Sequence, residues 1–177
     1  MSSVPAGMRT NGRHPDQHFH SEEYIFRRVP IGMWNHPGDH LEVDAVPLPD
    51  VSVGRSKYGH PEWVRFDVIN GNFFPDWGVV GIQVADVPSE LWREGVFHFT
   101  FKVCHAPIEM DFPHSEIRAF ENQNHIDVVE KVPEDVHLAW RERLLRKMRT
   151  IIKPYQRVVV RQIPPKSHKL EPFATEQ

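Results

Sequence analysis

Residues 96–103, with the sequence VFHFTFKV, carry the alternation that most constrains the fold of this chain. Successive side chains of a strand point to opposite faces of a sheet. The pattern therefore directs one set of side chains toward a core, namely Phe97, Phe99, Phe101 and Val103. Residues 77–84, WGVVGIQV, are apolar on both faces, which predicts a central strand. Together the two segments predict a β-sheet with at least one buried face.

A single long helix is predicted late in the chain, over residues 133–153. Pro133 favours a helix start, and Pro154 ends the helix. At about 100° per residue, one side of this helix is apolar; it carries Val136, Trp140, Leu144, Met148, Ile151 and Ile152. Many strand segments and one helix predict an α+β fold: a twisted antiparallel or mixed sheet of about six to eight strands, with one long C-terminal helix packed on it.

The chain of 177 residues is long enough for one domain with tails. Residues 1–23 are polar and lack periodicity, which predicts a flexible arm. Residues 24–163 are predicted to form the single α+β domain, and residues 164–177 a Pro-rich tail. Further strands are predicted over residues 24–29, 124–131 and 157–163.

Composition limits the cellular setting. No apolar run reaches the length of a membrane span, and the first residues lack the apolar core of a signal peptide. Cys104 is the only cysteine, which predicts a reducing, cytoplasmic compartment. Residues 141–177 contain ten Lys and Arg and three Asp and Glu, a net charge of +7 in a chain of net charge −3. This basic C-terminal segment predicts contact with an acidic protein surface or nucleic acid; a basic helix end followed by a solvated tail is the alternative.

Residues 103–120, VCHAPIEMDFPHSEIRAF, concentrate histidines and acids between two apolar runs. His105, His114 and Glu116 lie here, and His125 and Asp127 follow closely. Imidazole and carboxylate groups suit a metal ion or a general acid–base pair. No pair has a recognised metal-ligand spacing, and an ordinary hydrogen-bonded pair at a strand edge is the alternative.

Cations on predicted strands form a second group. Arg27, Arg28 and Arg55 lie on such strands, and Ser52 precedes Arg55. Arginine forks bind phosphate and carboxylate, so these residues predict an anionic ligand such as a nucleotide. Edge-strand charges that prevent aggregation would give the same pattern.

The order of Arg27 or Arg28, Ser52 and Glu116 along the chain resembles the Arg–Ser–Glu arrangement of ADP-ribosyltransferases. The resemblance implies that the arginine holds nicotinamide dinucleotide, that the serine strand shapes the pocket, and that the glutamate stabilises the ribosyl cation. Two departures are present. Ser52-Val-Gly stands where that family has Ser-Thr-Ser, and His114-Ser-Glu stands where it has Glu-x-Glu or Gln-x-Glu.

Three functions remain open on this reading. The first is a nucleotide-binding enzyme, NAD-consuming or ADP-ribosyl-transferring, with catalytic Glu116 and His114; its ligand-binding residues would be Arg27, Arg28, Ser52, Arg55 and His105. The second is a non-catalytic interaction subunit of a larger, defence-related assembly. The third is a metal-dependent hydrolase or nuclease using His105, His114, Glu116 and His125. The first predicts that its polar residues converge in one cleft.

Overall fold

The computed structural model describes residues 3–35, 40–48, 50–93, 96–120 and 133–176. The described residues contain one α-helix, α1 (Glu134–Lys147). Their strands are β1 (Tyr24–Val29), β2 (Trp34–Asn35), β3 (His40–Leu41), β4 (Asp50–Arg55), β5 (Phe66–Asp67), β6 (Asn72–Phe73), β7 (Gly78–Gln83), β8 (Glu90–Arg93), β9 (Val96–His105), β10 (His114–Phe120) and β11 (Arg149–Ile152). None of the helices in these residues is long and apolar enough to cross a membrane.

Seven strands form one antiparallel sheet in the order β11-β7-β1-β4-β10-β9-β8. β2 pairs with β3, and β5 with β6, in two small ribbons. The predicted α+β class is confirmed, as are the strands predicted from residues 24–29, 77–84 and 96–103. β4, the middle strand of the order, and its neighbours β1 and β10 position the site described below.

One face of the sheet packs against α1 and forms the main core. Trp140 and Leu144 of the helix are fully buried. The Trp140 ring stacks on Phe101 with centroids 4.2 Å apart, and its indole N–H donates to the Pro88 carbonyl at 2.8 Å. From the sheet, this core receives Ile25, Val51, Val53, Ile82, Phe99, Phe101, Val103, Ile117 and Ala119. Of the apolar stripe predicted for the helix, Val136, Trp140 and Leu144 therefore face the sheet, whereas Ile151 and Ile152 belong to β11 and pack in another cluster.

The other face is covered only in part by the residues that the structure describes. A 3-10 helix, Pro61–Arg65, and the segment after β11 pack on β1 and β7 through a smaller cluster. Gly54 of β4 permits this close approach, since a Cβ there would lie 2.5 Å from Val64 Cγ1. Over β10 the polar side chains of His114 and Glu116 stay partly exposed. A cavity lies where this cover ends.

The predicted helix over residues 133–153 is too long at its C-terminal end. α1 ends at Lys147, Met148 is extended, and Arg149–Ile152 forms β11 on the free edge of β7. Three of these four residues are β-branched, which favours a strand. Pairing with β7 also satisfies backbone groups that a longer helix would have bonded internally.

The prediction of a strand over residues 157–163 is also wrong. Only an isolated bridge between Val158 and Thr175 occurs there. The backbone carbonyls of this segment instead accept side-chain donors. Trp63 Nε1 donates to the Arg161 carbonyl at 2.7 Å, and His60 Nε2 lies 2.9 Å from the Ile163 carbonyl. The strand predicted over residues 124–131 lies outside the described residues.

Both outer segments contact the sheet domain. Met8 is buried against Trp63 and Phe66, and Glu23 is buried beside Arg55. In the tail, the Lys169 ammonium lies 3.7 Å from a Glu22 carboxylate oxygen. The division into arm, domain and tail stays a prediction, but the described parts of the arm and tail are packed on the domain.

Candidate active site

A cavity of about 350 Å³ opens between β1, β4, β10 and the segment that follows the 3-10 helix. Four residues predicted for the site line it: Arg27, Arg28, Ser52 and His114. Its apolar wall comprises Val64, Phe66, Val68, Ile69, Trp77 and Ile108. The mixture of apolar walls and a few convergent polar groups is typical of a ligand site.

Ser52 and His114 are joined by a hydrogen bond across neighbouring strands. His114 lies opposite Gly54 and Glu116 lies opposite Ser52 in the antiparallel register, so the serine and the histidine are diagonal neighbours on one face. Ser52 Oγ is 3.0 Å from His114 Nε2. On its other side the ring is fixed by Nδ1, which is 2.6 Å from the Ala106 carbonyl.

Arg28 supplies positive charge to the cavity wall. One guanidinium nitrogen donates to the carbonyl of Phe66 at 2.6 Å, and another lies 3.9 Å from the Asp67 carboxylate. Burial lowers the pKa of Arg28, while the carboxylates of Asp67 and Asp111 raise it. The side chain keeps 31% of its surface exposed, so its charge is open to a ligand.

Arg27 lines the cavity but is held by backbone groups. Its Nε donates to the Ala45 carbonyl at 2.6 Å, and NH1 donates to the Ser52 carbonyl at 2.8 Å. Burial, with a smaller effect of neighbouring Arg28, lowers its pKa to about 10. Arg27 is still charged at neutral pH, and its bond to the Ser52 carbonyl positions that serine.

Asp111 is a cavity residue that the sequence reasoning missed. It lies in the turn between β9 and β10, where it forms an isolated β-bridge with Ile108. Burial raises its pKa to about 6, although the charges of His114 and Arg28 act in the opposite direction. The available signal was its place in residues 103–120, three positions before His114. A perturbed carboxylate in a cleft marks a candidate functional residue.

Glu116 is not among the residues that line the cavity. Its backbone lies opposite Ser52, but its carboxylate binds Arg118 of the same strand, with Oε2 at 2.7 Å from Nε and 2.6 Å from NH2. The structure therefore brings Glu116 near the site without directing its carboxylate into the cavity wall.

Arg55 and His105 lie in a separate, buried network. Arg55 Nε is 2.6 Å from a Glu23 carboxylate oxygen, and its NH1 donates to the Asp16 carbonyl at 2.6 Å. His105 Nδ1 accepts the Asp16 backbone N–H at 2.8 Å, and Nε2 donates to the Phe112 carbonyl at 2.7 Å. Burial lowers the pKa of His105. These two residues fix the N-terminal arm and do not line the cavity, so the predicted convergence holds for four residues of the set.

The described histidines and acids do not come together as a metal centre. The residues that the structure describes contain no group of three His, Cys, Asp or Glu placed to hold a metal ion. Both ring nitrogens of His105 are engaged by backbone groups. His125 and Asp127, which the metal hypothesis also considered, lie outside the described residues.

Comparisons with protein-family models, curated proteins and solved structures gave no match to this chain. The residues of the cavity are therefore the basis for assigning a function.

Proposed function

We propose that this protein is an enzyme that binds an anionic substrate of the nucleotide class in the cavity between β1, β4 and β10. One observation carries the proposal: Arg28 shares a cavity wall with the hydrogen-bonded pair Ser52 and His114. A cation that fixes an anion beside a nucleophile and a base is a combination that enzymes use.

The cavity suits such a substrate in size and lining. Ligand pockets have volumes of roughly 300 to 1,000 Å³, and this one measures about 350 Å³. Trp77 contributes an aromatic surface that is stacked on Phe74, with centroids 4.1 Å apart. Bases stack on such surfaces, while Arg28 offers charge to a phosphate.

A more specific version of this proposal names NAD as the ligand. Its reaction is the consumption of NAD or the transfer of ADP-ribose. That form needs Glu116 as the group that stabilises the ribosyl cation, and Glu116 would first have to leave Arg118. The general version, in which a nucleotide binds and Ser52 and His114 are the catalytic residues, needs no such rearrangement. A cytoplasmic location, supported by the single Cys104, belongs to the same proposal.

Calorimetric titration with NAD, ADP-ribose and AMP tests the proposal, and Ile69 offers a clean perturbation. This side chain lines the cavity and is 81% exposed, so its replacement leaves the core intact. Ile69→Glu should weaken nucleotide binding by about three- to tenfold at low salt and Ile69→Lys should strengthen it, because the two add opposite charges at the rim. Both effects should shrink at high salt.

Two further variants complete the test. Arg28→Gln should reduce binding at least tenfold, because a charge-assisted contact contributes about 1.5 to 3 kcal/mol. Arg143→Gln is its control, since Arg143 is exposed on α1, does not line the cavity and donates to the Glu90 carbonyl at 3.1 Å. Absence of saturable binding, or equal binding by both charge variants of Ile69, would refute the proposal.

An interaction subunit is the second candidate, and one observation favours it. Of the six exposed large hydrophobic side chains among the described residues, four follow β11: Tyr155, Val159, Ile163 and Leu170. Part of the basic charge of this segment is already used within the chain, since Arg161 binds Glu62 and Arg157 binds Asp76. The candidate predicts a stoichiometric complex that Ile163→Ser disrupts and Ile69→Glu does not.

A further inference from the structure

The hydrogen bonds of His114 determine where its protons lie. A backbone carbonyl can only accept a hydrogen bond, so the Nδ1 atom facing the Ala106 carbonyl must carry the proton. In the neutral ring Nε2 is then an acceptor, and Ser52 Oγ–H is the donor across the 3.0 Å contact. The backbone of this turn therefore presents a basic nitrogen to a serine hydroxyl.

The environment of Ser52 differs from that of two other serines near the sheet. Ser56 donates to the His168 carbonyl at 2.5 Å, and Ser115 is buried and donates to the Pro113 carbonyl at 3.4 Å. Both contacts are of the kind that satisfies a structural hydroxyl. Ser52 instead donates to an imidazole, is exposed, and lines the cavity.

The strand positions hold the pair in place on a rigid scaffold. Ser52 lies in β4 and His114 in β10, and these strands are paired over five registered positions. Arg27 fixes the Ser52 carbonyl and Ala106 fixes the imidazole ring. A nucleophile, a base in hydrogen-bond reach and a third group that orients the base form the arrangement of an activated nucleophile.

We propose that Ser52 is the nucleophile of this cavity, with His114 as its general base, and that it attacks phosphorus in a phosphate ester or phosphoanhydride of the bound substrate. The inference rests on the proposed function for its substrate class. The nucleophilic character of Ser52 can be tested without that substrate.

The reaction has two balanced halves. Ser52 Oγ forms a bond to phosphorus as its proton passes to His114 Nε2; the bond from phosphorus to the leaving oxygen breaks, and that oxygen takes the proton. In the second half, water attacks the phosphoserine, His114 accepts the water proton, and the proton returns to Ser52 Oγ as the phosphoryl group leaves. Arg28 and Asp111 both line the cavity, where a guanidinium stabilises the charge that develops on phosphate and a carboxylate stabilises the charge on imidazole.

A fluorophosphonate probe tests the nucleophile directly. Ser52 Oγ would form a bond to phosphorus, fluoride would leave, and the hydroxyl proton would pass to His114. Intact-mass spectrometry should show one adduct per chain, which peptide mapping places on Ser52. Ser52→Ala should lose the adduct, and His114→Gln should slow its formation by about 10² to 10⁴-fold. Ser89→Ala removes an exposed serine elsewhere and should label like the native protein.

A second variant tests the same pair if the fluorophosphonate probe is too large to enter the cavity. Ser52→Cys puts a thiol beside His114, and iodoacetamide should alkylate it faster than Cys104 by at least tenfold, since a basic neighbour increases the thiolate fraction. Adding His114→Gln should remove that advantage. Thermal melting of each variant shows whether it is folded.

The outcomes separate this inference from the proposed function. If the probe labels Ser52 but no nucleotide binds, the role of Ser52 as nucleophile is supported and the nucleotide substrate is refuted. Nucleotide binding with neither labelling of Ser52 nor enhanced alkylation of Ser52→Cys would refute the nucleophile and keep the nucleotide-binding cavity. Labelling that His114→Gln leaves unchanged would refute the role of His114 as base.

Discussion

Replacing Asp111 with asparagine should stabilise this protein, and more so as the pH rises. Burial raises the pKa of Asp111 from 3.8 to about 6, against the charges of His114 and Arg28. A group with a raised pKa in the folded state contributes stability that is fully present below its unfolded pKa and is lost as the pH rises through its folded pKa. Above pH 6 the folded protein must therefore hold a desolvated carboxylate. Asparagine has nearly the same shape and no charge.

The size of the effect follows from the two pKa values. Each pKa unit corresponds to about 1.4 kcal/mol, so the full difference corresponds to about 3 kcal/mol at most. Integrating the proton uptake between pH 5 and pH 8 gives about 1.4 kcal/mol. The stability advantage of Asp111→Asn over the native protein should be larger at pH 8 than at pH 5 by this amount.

Urea denaturation followed by tryptophan fluorescence at several pH values measures this difference. Titrating groups that do not interact with Asp111 are shared by both proteins, so their contributions cancel in the comparison. Asp67→Asn is the control of opposite sign, since hydrogen bonds from Asn70 lower the pKa of Asp67. The loss in free energy of unfolding caused by Asp67→Asn should grow as the pH rises from 3 to 6. Parallel stability curves for Asp111→Asn and the native protein would refute the burial argument.

Three further substitutions test the packing. Arg55→Met should destabilise the fold by about 3 to 5 kcal/mol in urea denaturation, because it leaves the carboxylate of Glu23 buried without its cation; a cost below 1 kcal/mol would contradict this. Leu144→Ala should cost about 2 to 5 kcal/mol, since Leu144 is fully buried between helix and sheet; calorimetric melting measures the loss. Gly54→Ala should lower the melting temperature, because its Cβ would lie 2.5 Å from Val64 Cγ1, and Val64→Ala in the same chain should restore part of the loss. A Gly54→Ala protein that melts like the native one would show that the 3-10 helix moves freely.

The sheet could be predicted from the sequence because its strands carry their own signal. Alternation over residues 96–103 and an apolar run over 77–84 correspond to β9 and β7. The end of α1 could not be predicted in the same way. Ile151 and Ile152 are apolar at positions that suit either a continued helix or an edge strand, and only the free edge of β7 decides between them.

The site was predicted in part for a similar reason. Arg28, Ser52 and His114 stand out as polar residues on strands, and strand pairing brings them together. Arg55 has the same local pattern, yet its partner Glu23 lies 32 positions away and its role depends on that pairing. Asp111 was missed because its importance comes from its burial, which no local pattern reveals.

The contacts that hold the cavity wall affect the order in which the protein folds during synthesis. Val64 and Phe66 belong to, or directly follow, the 3-10 helix Pro61–Arg65, which is held by contacts from near the end of the chain. Glu62 binds Arg161 at 2.8 Å, and Arg65 donates to the Gln156 carbonyl at 3.1 Å. On the ribosome, β1 and β4 can pair long before these partners emerge. The wall of the cavity is therefore fixed late in synthesis. A nascent chain that ends before Gln156 has the polar strands of the cavity but lacks the contacts that hold the 3-10 helix beside them.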